Sequence, residues 1–236
     1  MCNALPGRLG RPTPHDWSAT TLRTTARFAL LLTAVTGLSG LAVAPATAAP
    51  VVTIDTGHVD VFGVAYEDDE FHLHVHDEAG DVEHEPSEVL LVAKAAAKTT
   101  VPADPAYAFL GAPGAPVWVL PEVEDPNLLW PGIAAEEVEP GVFVDGSLRL
   151  HVVAVCGPDD FSIFTTDAVG APTVLVDSGN GLPDRIDLTP GGHQHANWAF
   201  EAAGSYSVTV RAVGTLAATG ERVVSAPATY SFKVNR

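Results

Sequence analysis

From His58 to Val234 the chain breaks into short runs in which apolar and polar residues alternate, cut every few positions by Gly, Pro, Asp or Asn, and no long stretch keeps a spacing of 3.6 residues. Alternation of period two places one side of a strand in a core and the other in water. A chain of many such runs forms a sandwich or a barrel. Strands are expected near 58–66, 70–77, 88–94, 117–120, 147–156, 159–165, 173–177, 193–200, 205–213 and 223–234. The fold class expected is all-β, an immunoglobulin-like β-sandwich of one or two packed units. Its closing hairpin is GSYSVTVRAVG followed by ATYSFKV, with Tyr206, Val208 and Val210 on one face and Ser205, Ser207 and Thr209 on the other. Tyr206, just after Gly204 at a strand entry, is placed to form a tyrosine corner.

The stretch 101–145 interrupts this pattern. Eight prolines, from Pro102 to Pro140, fall there with Trp118 and Trp130 among them. Proline cannot donate to a strand ladder. The segment therefore reads as an ordered Pro-rich crossing loop, and as the place where the chain would divide internally.

Residues 1–49 read as a signal peptide: Arg23 and Arg27 precede an uncharged run from Phe28 to Val43, and Ala46, Thr47, Ala48 and Ala49 supply small residues for cleavage. The run is short for a bilayer span and ends between Pro45 and Pro50, so no stable membrane span is expected after cleavage. Residues 50–236 then form the secreted or cell-surface domain. The formal charge is −17, and it becomes more negative once Arg8, Arg11, Arg23 and Arg27 leave with Asp16. Such a field repels nucleic acid and attracts cations. Cys2 leaves with the leader too, so Cys156 is expected as a lone, buried thiol with no intramolecular disulfide.

Histidine spacing carries the chemical signal. In FHLHVHD, His72, His74 and His76 alternate with Phe71, Leu73 and Val75, so three imidazoles project from one side of a strand about 7 Å apart. His193 and His195 in GGHQHANWAF repeat the geometry, and His58 with Asp60 in GHVDVFG makes a third pair at i and i+2. Two such strands laid together bring imidazole nitrogens within reach of one divalent transition metal, Zn²⁺ being the reference case. The candidate ligands are His58, His74, His76, His193 and His195, with Asp60 as a further ligand or an orienting group. His84 and His151 are weaker candidates, and the competing reading is that all of these are ordinary polar strand-face residues.

Sequence signatures of hydrolases, zincins and nucleotide-binding loops are missing, and the carboxylates of EDDE, DEAGDVEHE and AAEEVE fall in expected turns. Binding without turnover, not an enzyme, is the expectation.

The segments GHVDVFGVAYED, LHVHD, VWVLP, LLWPGI and GGHQHANWAFEAAGSYSVTV resemble the actinobacterial surface-anchored protein domain, also called the choice-of-anchor M domain. The resemblance covers nearly all of residues 50–236. It implies an exported receptor or relay that hands a substrate such as a metal to the substrate-binding component of an ABC transporter. The matching positions are His58 and Asp60, His74 and His76, and His193, His195, Asn197 and Trp198, the last two in supporting roles. The terminal SFKVNR lacks a sorting motif, so wall attachment is not implied. The alternatives are a surface adhesion or carbohydrate-binding module, with Trp118, Trp130 and Trp198 as stacking platforms, and a structural wall protein.

Overall fold

A computed structural model describes residues 2–4 and 51–236. The signal peptide assigned to residues 1–49 lies outside them, apart from the short strand Cys2–Ala4. Alternation builds strands near most of the expected positions, the one expected over 223–234 being two, Arg222–Val224 and Ala228–Val234, and the described residues are organised as three sheets, none closed on itself. No helix among them is long and apolar enough to cross a membrane.

The largest sheet runs Cys2–Ala4, Arg149–Cys156, Gly204–Thr215, Ala228–Val234, Val89–Ala93 and Val52–Ile54, with Asp184–Asp187 and Arg222–Val224 paired beside it. A second orders Pro172–Asp177, Phe161–Thr166, Asn197–Phe200, Pro116–Leu120 and Lys98–Thr100. The third orders His193–His195, Leu129–Ala134, Gly57–Glu67, Glu70–Asp77 and Val82–His84. The all-β sandwich is therefore present. Its core is an aromatic cluster fed by all three sheets: Phe62 packs on Trp198 and Tyr230, and Phe161 and Phe200 pack on Phe232. All six rings are essentially fully buried. Tyr206 does make its corner, its hydroxyl donating to Ala202 O at 3.0 Å and accepting from Ala202 N–H at 3.1 Å.

Three expectations change. First, the Pro-rich segment does not divide the chain, since residues 2–4 and 51–236 belong to one compact unit. It also contains a central strand, Leu129–Ala134, parallel to Gly57–Glu67. Pro131 is tolerated there because the other neighbour, His193–His195, pairs only with residues 132–134. Second, the single strand expected over 193–200 breaks at the fully buried Ala196, where the chain leaves one sheet and enters another.

Third, Cys156 is not a lone thiol: it is disulfide-bonded. The strand Cys2–Ala4 lies antiparallel to Arg149–Cys156 with Cys2 opposite Cys156. The lone thiol was expected of a chain cut after residue 49, whereas the full chain keeps Cys2. Thiol titration of the denatured but unreduced chain, recovered from its native host, reads which form exists. A retained leader gives no free thiol, and cleavage at residue 49 gives one.

Candidate metal centre

The third sheet carries the histidines, and a bulge shapes it. In Gly57–Glu67 the register slips between Asp60 and Phe62 against one neighbour and between Asp60 and Gly63 against the other. The extra residue sends Val59, Val61 and Phe62 into the core while Asp60 stays on the face of His58, as bulges beside functional sites do.

On the next strand Gly132 stands opposite Asp60 on one side and His195 on the other. A Cβ at Gly132 would collide with Asp60 Oδ1 and come within 2.9 Å of His193 Nε2. The glycine thus leaves a hollow over which side chains of both flanking strands meet. His193 is delivered by a turn tied to Ala135, whose N–H donates to Gly192 O at 2.8 Å and whose carbonyl accepts from Gly191 N–H at 2.9 Å.

The result is one group of three imidazoles, His58, His193 and His195. His193 Nε2 lies 3.2 Å from His58 Nε2 and 3.0 Å from His195 Nε2. Asp60 Oδ1 is 3.3 Å from both His58 Nε2 and His193 Nε2. Asp60 is only 1% exposed, and that oxygen accepts a well-formed hydrogen bond from neither ring. Asp60 is not grouped with His195, so the three imidazoles make the primary donor set and Asp60 flanks it.

Proton accounting shows what such a cluster suits. His195 Nδ1 lies 3.0 Å from Pro131 O, which can only accept, so the proton sits on Nδ1 and Nε2 of the neutral ring presents a lone pair. Burial pushes the His195 pKa down to about 4, against the Pro131 hydrogen bond that raises it. Burial likewise raises the Asp60 carboxyl above its ordinary value, while His193 and His58 pull it back down. Ligands 2.0–2.1 Å from a tetrahedral ion are about 3.3–3.4 Å apart. The separations of 3.0–3.3 Å seen here are close to that edge length.

Supporting groups hold the rings from behind. Trp130 stacks flat on His195, with ring centroids 3.7 Å apart and planes 4° apart, and packs tilted on His58 at 4.9 Å. Its indole N–H donates to Glu122 O at 3.0 Å. Asn197 fixes Glu122 in turn, accepting from Glu122 N–H at 3.0 Å and donating to Glu122 Oε2 at 3.1 Å. Glu136 Oε1 lies 3.6 Å from His193 Nδ1. Asn197 thus steadies the site through Glu122 and Trp130. Trp198 is core, and Tyr206 belongs to the corner described above.

His74 and His76 are not brought to this group. Two strands separate theirs from His193–His195, about 14 Å at ordinary strand spacing; Gly57–Glu67 is their strand's neighbour, with His76 opposite Asp60, yet neither histidine shares a donor group with His58, Asp60, His193 or His195. His74 faces Glu137 instead, with Nε2 3.2 Å from Oε1, and His76 lies 3.3 Å from Glu78 and 3.4 Å from Asp81. The sequence reading missed Glu122, Gly132 and Glu136. A tryptophan followed by Pro-Gly within an apolar run was the one signal of a special strand there. Comparisons of the chain with protein-family models, curated proteins and solved structures found no match.

Proposed function

We propose that this is an exported binding protein that captures a divalent transition metal at His58, His193 and His195, with Asp60 beside them, and does not turn a substrate over. The observation that carries the reading is the convergence of three imidazoles, two of whose Nε2 atoms lie 3.3 Å from a buried carboxylate oxygen that lacks a proper donor. Imidazole-rich sites suit Zn²⁺ and Cu²⁺. The acidic chain, at −17, would draw cations toward it. Reversible capture is what a relay to a metal-importing ABC transporter requires, and that role is proposed with it.

Tryptophan burial favours this reading over sugar binding. Trp118 and Trp198 are buried, so neither offers a platform to solvent, and the half-buried Trp130 has one face against His195. Calorimetric titration of chelator-stripped protein with Zn²⁺ and Cu²⁺ tests the proposal. A dissociation constant well below about 100 µM is expected, lost on His193→Ala with His195→Ala. Weaker binding, or binding indifferent to that double variant, sinks it.

A further inference from the structure

On the same sheet, away from the imidazole group, His74 opens onto a cleft of about 710 Å³ between Glu70–Asp77, Val82–His84 and the segment 225–229. The ionisable groups lining it are Glu67, Glu83, Glu85, Glu137, His72 and His74, with no lysine or arginine among them. His74 is itself 9% exposed, and its ring lies over Gly63, where a Cβ would collide with Nε2. Its strand is held from below by Tyr230, whose hydroxyl donates to His74 O at 3.3 Å. A buried imidazole is therefore fixed with its Nε2 toward carboxylates at the cleft wall. One ligand atom each from His74, Glu83 and Glu137 lies within 4.8 Å of the others.

We propose that His74, Glu83 and Glu137 form a second divalent-cation site, chemically distinct from the first. One imidazole and two carboxylates make an oxygen-rich donor set, and carboxylate ligands with water favour Mn²⁺ over the softer metals that imidazoles select. Glu137 is 40% exposed at its side chain, so solvent completes the coordination sphere and binding is weaker than at three converging rings. The consecutive residues Glu136 and Glu137 serve the two centres separately, one against His193 and the other against His74.

The test removes the first site and asks whether the second survives. In the full chain carrying His193→Ala and His195→Ala, Mn²⁺ is titrated while loss of the free-ion electron paramagnetic resonance signal is followed. One equivalent should bind with submillimolar affinity. Adding Glu83→Gln and Glu137→Gln, both at exposed positions that leave the core intact, should weaken it by roughly 10-fold or more. Absence of Mn²⁺ binding in the first variant, or affinity unchanged by the glutamines, overturns the proposal. Because the imidazole site is already gone from these proteins, its failure to bind Zn²⁺ would leave this result standing.

Discussion

His193 and His74 each lie against a glycine of the same sheet, Gly132 and Gly63, yet the two surroundings differ in what they gather. Around His193 the backbone brings in residues from three strands remote in sequence, giving three ring nitrogens, one buried carboxylate and an aromatic wall. Around His74 there is one ring nitrogen, flanked by exposed glutamates at the rim of an open cleft. Donor type follows here from the burial of the carboxylates, Asp60 being enclosed while Glu83 and Glu137 are exposed. A buried site cannot hold several carboxylates without a large desolvation cost, whereas neutral imidazoles are buried cheaply. The half-buried centre, with its one enclosed carboxylate, is thus nitrogen-rich, and the centre whose carboxylates are exposed is oxygen-rich.

The glycines offer the sharpest way to separate the two. Gly132→Ala places a methyl group on Asp60 and His193, and should weaken Zn²⁺ binding by about 100-fold or more while Mn²⁺ binding at His74 is kept, since ligand geometry must hold within about 0.5 Å. Gly63→Ala should do the reverse. Calorimetry with each ion on each variant reads the four outcomes, and a variant that disables both sites would show that the centres are one unit.

Asp60 tests whether the buried centre trades stability for binding. Its carboxyl is raised by burial. A raised folded value means stability that is present at low pH and lost as pH rises through that value. Asp60→Asn never ionises, so at pH 7 the metal-free variant should melt about 2–4 °C higher, while Zn²⁺ affinity falls by roughly 10-fold. A lower melting point would mean that the two imidazoles already offset the burial of this charge.

Which of these relations could be read beforehand depends on their range. Alternation alone put His58 with Asp60, and His193 with His195, on common faces, because those pairings are local. It equally put His74 and His76 in line, and there it misled: it said nothing of sheet order, which leaves two strands between them and His193–His195 and sets His76 opposite Asp60 without joining that donor group. The adjacency that makes the centre is the parallel pairing of Gly57–Glu67 with Leu129–Ala134, and the second of these strands was concealed by Pro131. The rule that proline avoids central strands failed because the partner on the other side starts only at Gly132. Glu122 was hidden for another reason: a glutamate beside Pro121 in a loop carries no sequence mark that its carboxylate meets Asn197 and Thr166 or that its main-chain carbonyl accepts from Trp130.

Acid should affect the metal-free buried centre in a predictable way. The His195 pKa lies near 4 in the folded chain against an ordinary value of 6.5. The unfolded chain therefore takes up its proton first, and stability present above pH 6.5 is lost as pH falls toward 4. Discounted for the partial exposure of the ring, the loss is roughly 1–2 kcal/mol. Urea midpoints of the metal-free wild type and His195→Asn between pH 7 and pH 4 measure it. The wild type should lose more stability than the variant, and parallel curves would place the acid sensitivity elsewhere.

The smallest effect belongs to the support behind the rings. Glu122→Gln keeps a side chain of the same size and the main-chain carbonyl that accepts from Trp130, but replaces by a neutral amide oxygen the carboxylate oxygen that receives Thr166 N–H, Thr166 Oγ1 and Asn197 Nδ2. Three charge-assisted hydrogen bonds become neutral ones of roughly half the strength, so the loop that carries the Trp130 acceptor is held less firmly and the flat contact of Trp130 with His195 loosens. Zn²⁺ affinity should fall by no more than about 10-fold, with Mn²⁺ binding at His74 unchanged. Tryptophan fluorescence during the Zn²⁺ titration separates the causes: if Trp130 transmits the change, the wild-type response on binding is blunted in the variant, and an undiminished response would assign the loss to general loosening of the Pro-rich segment.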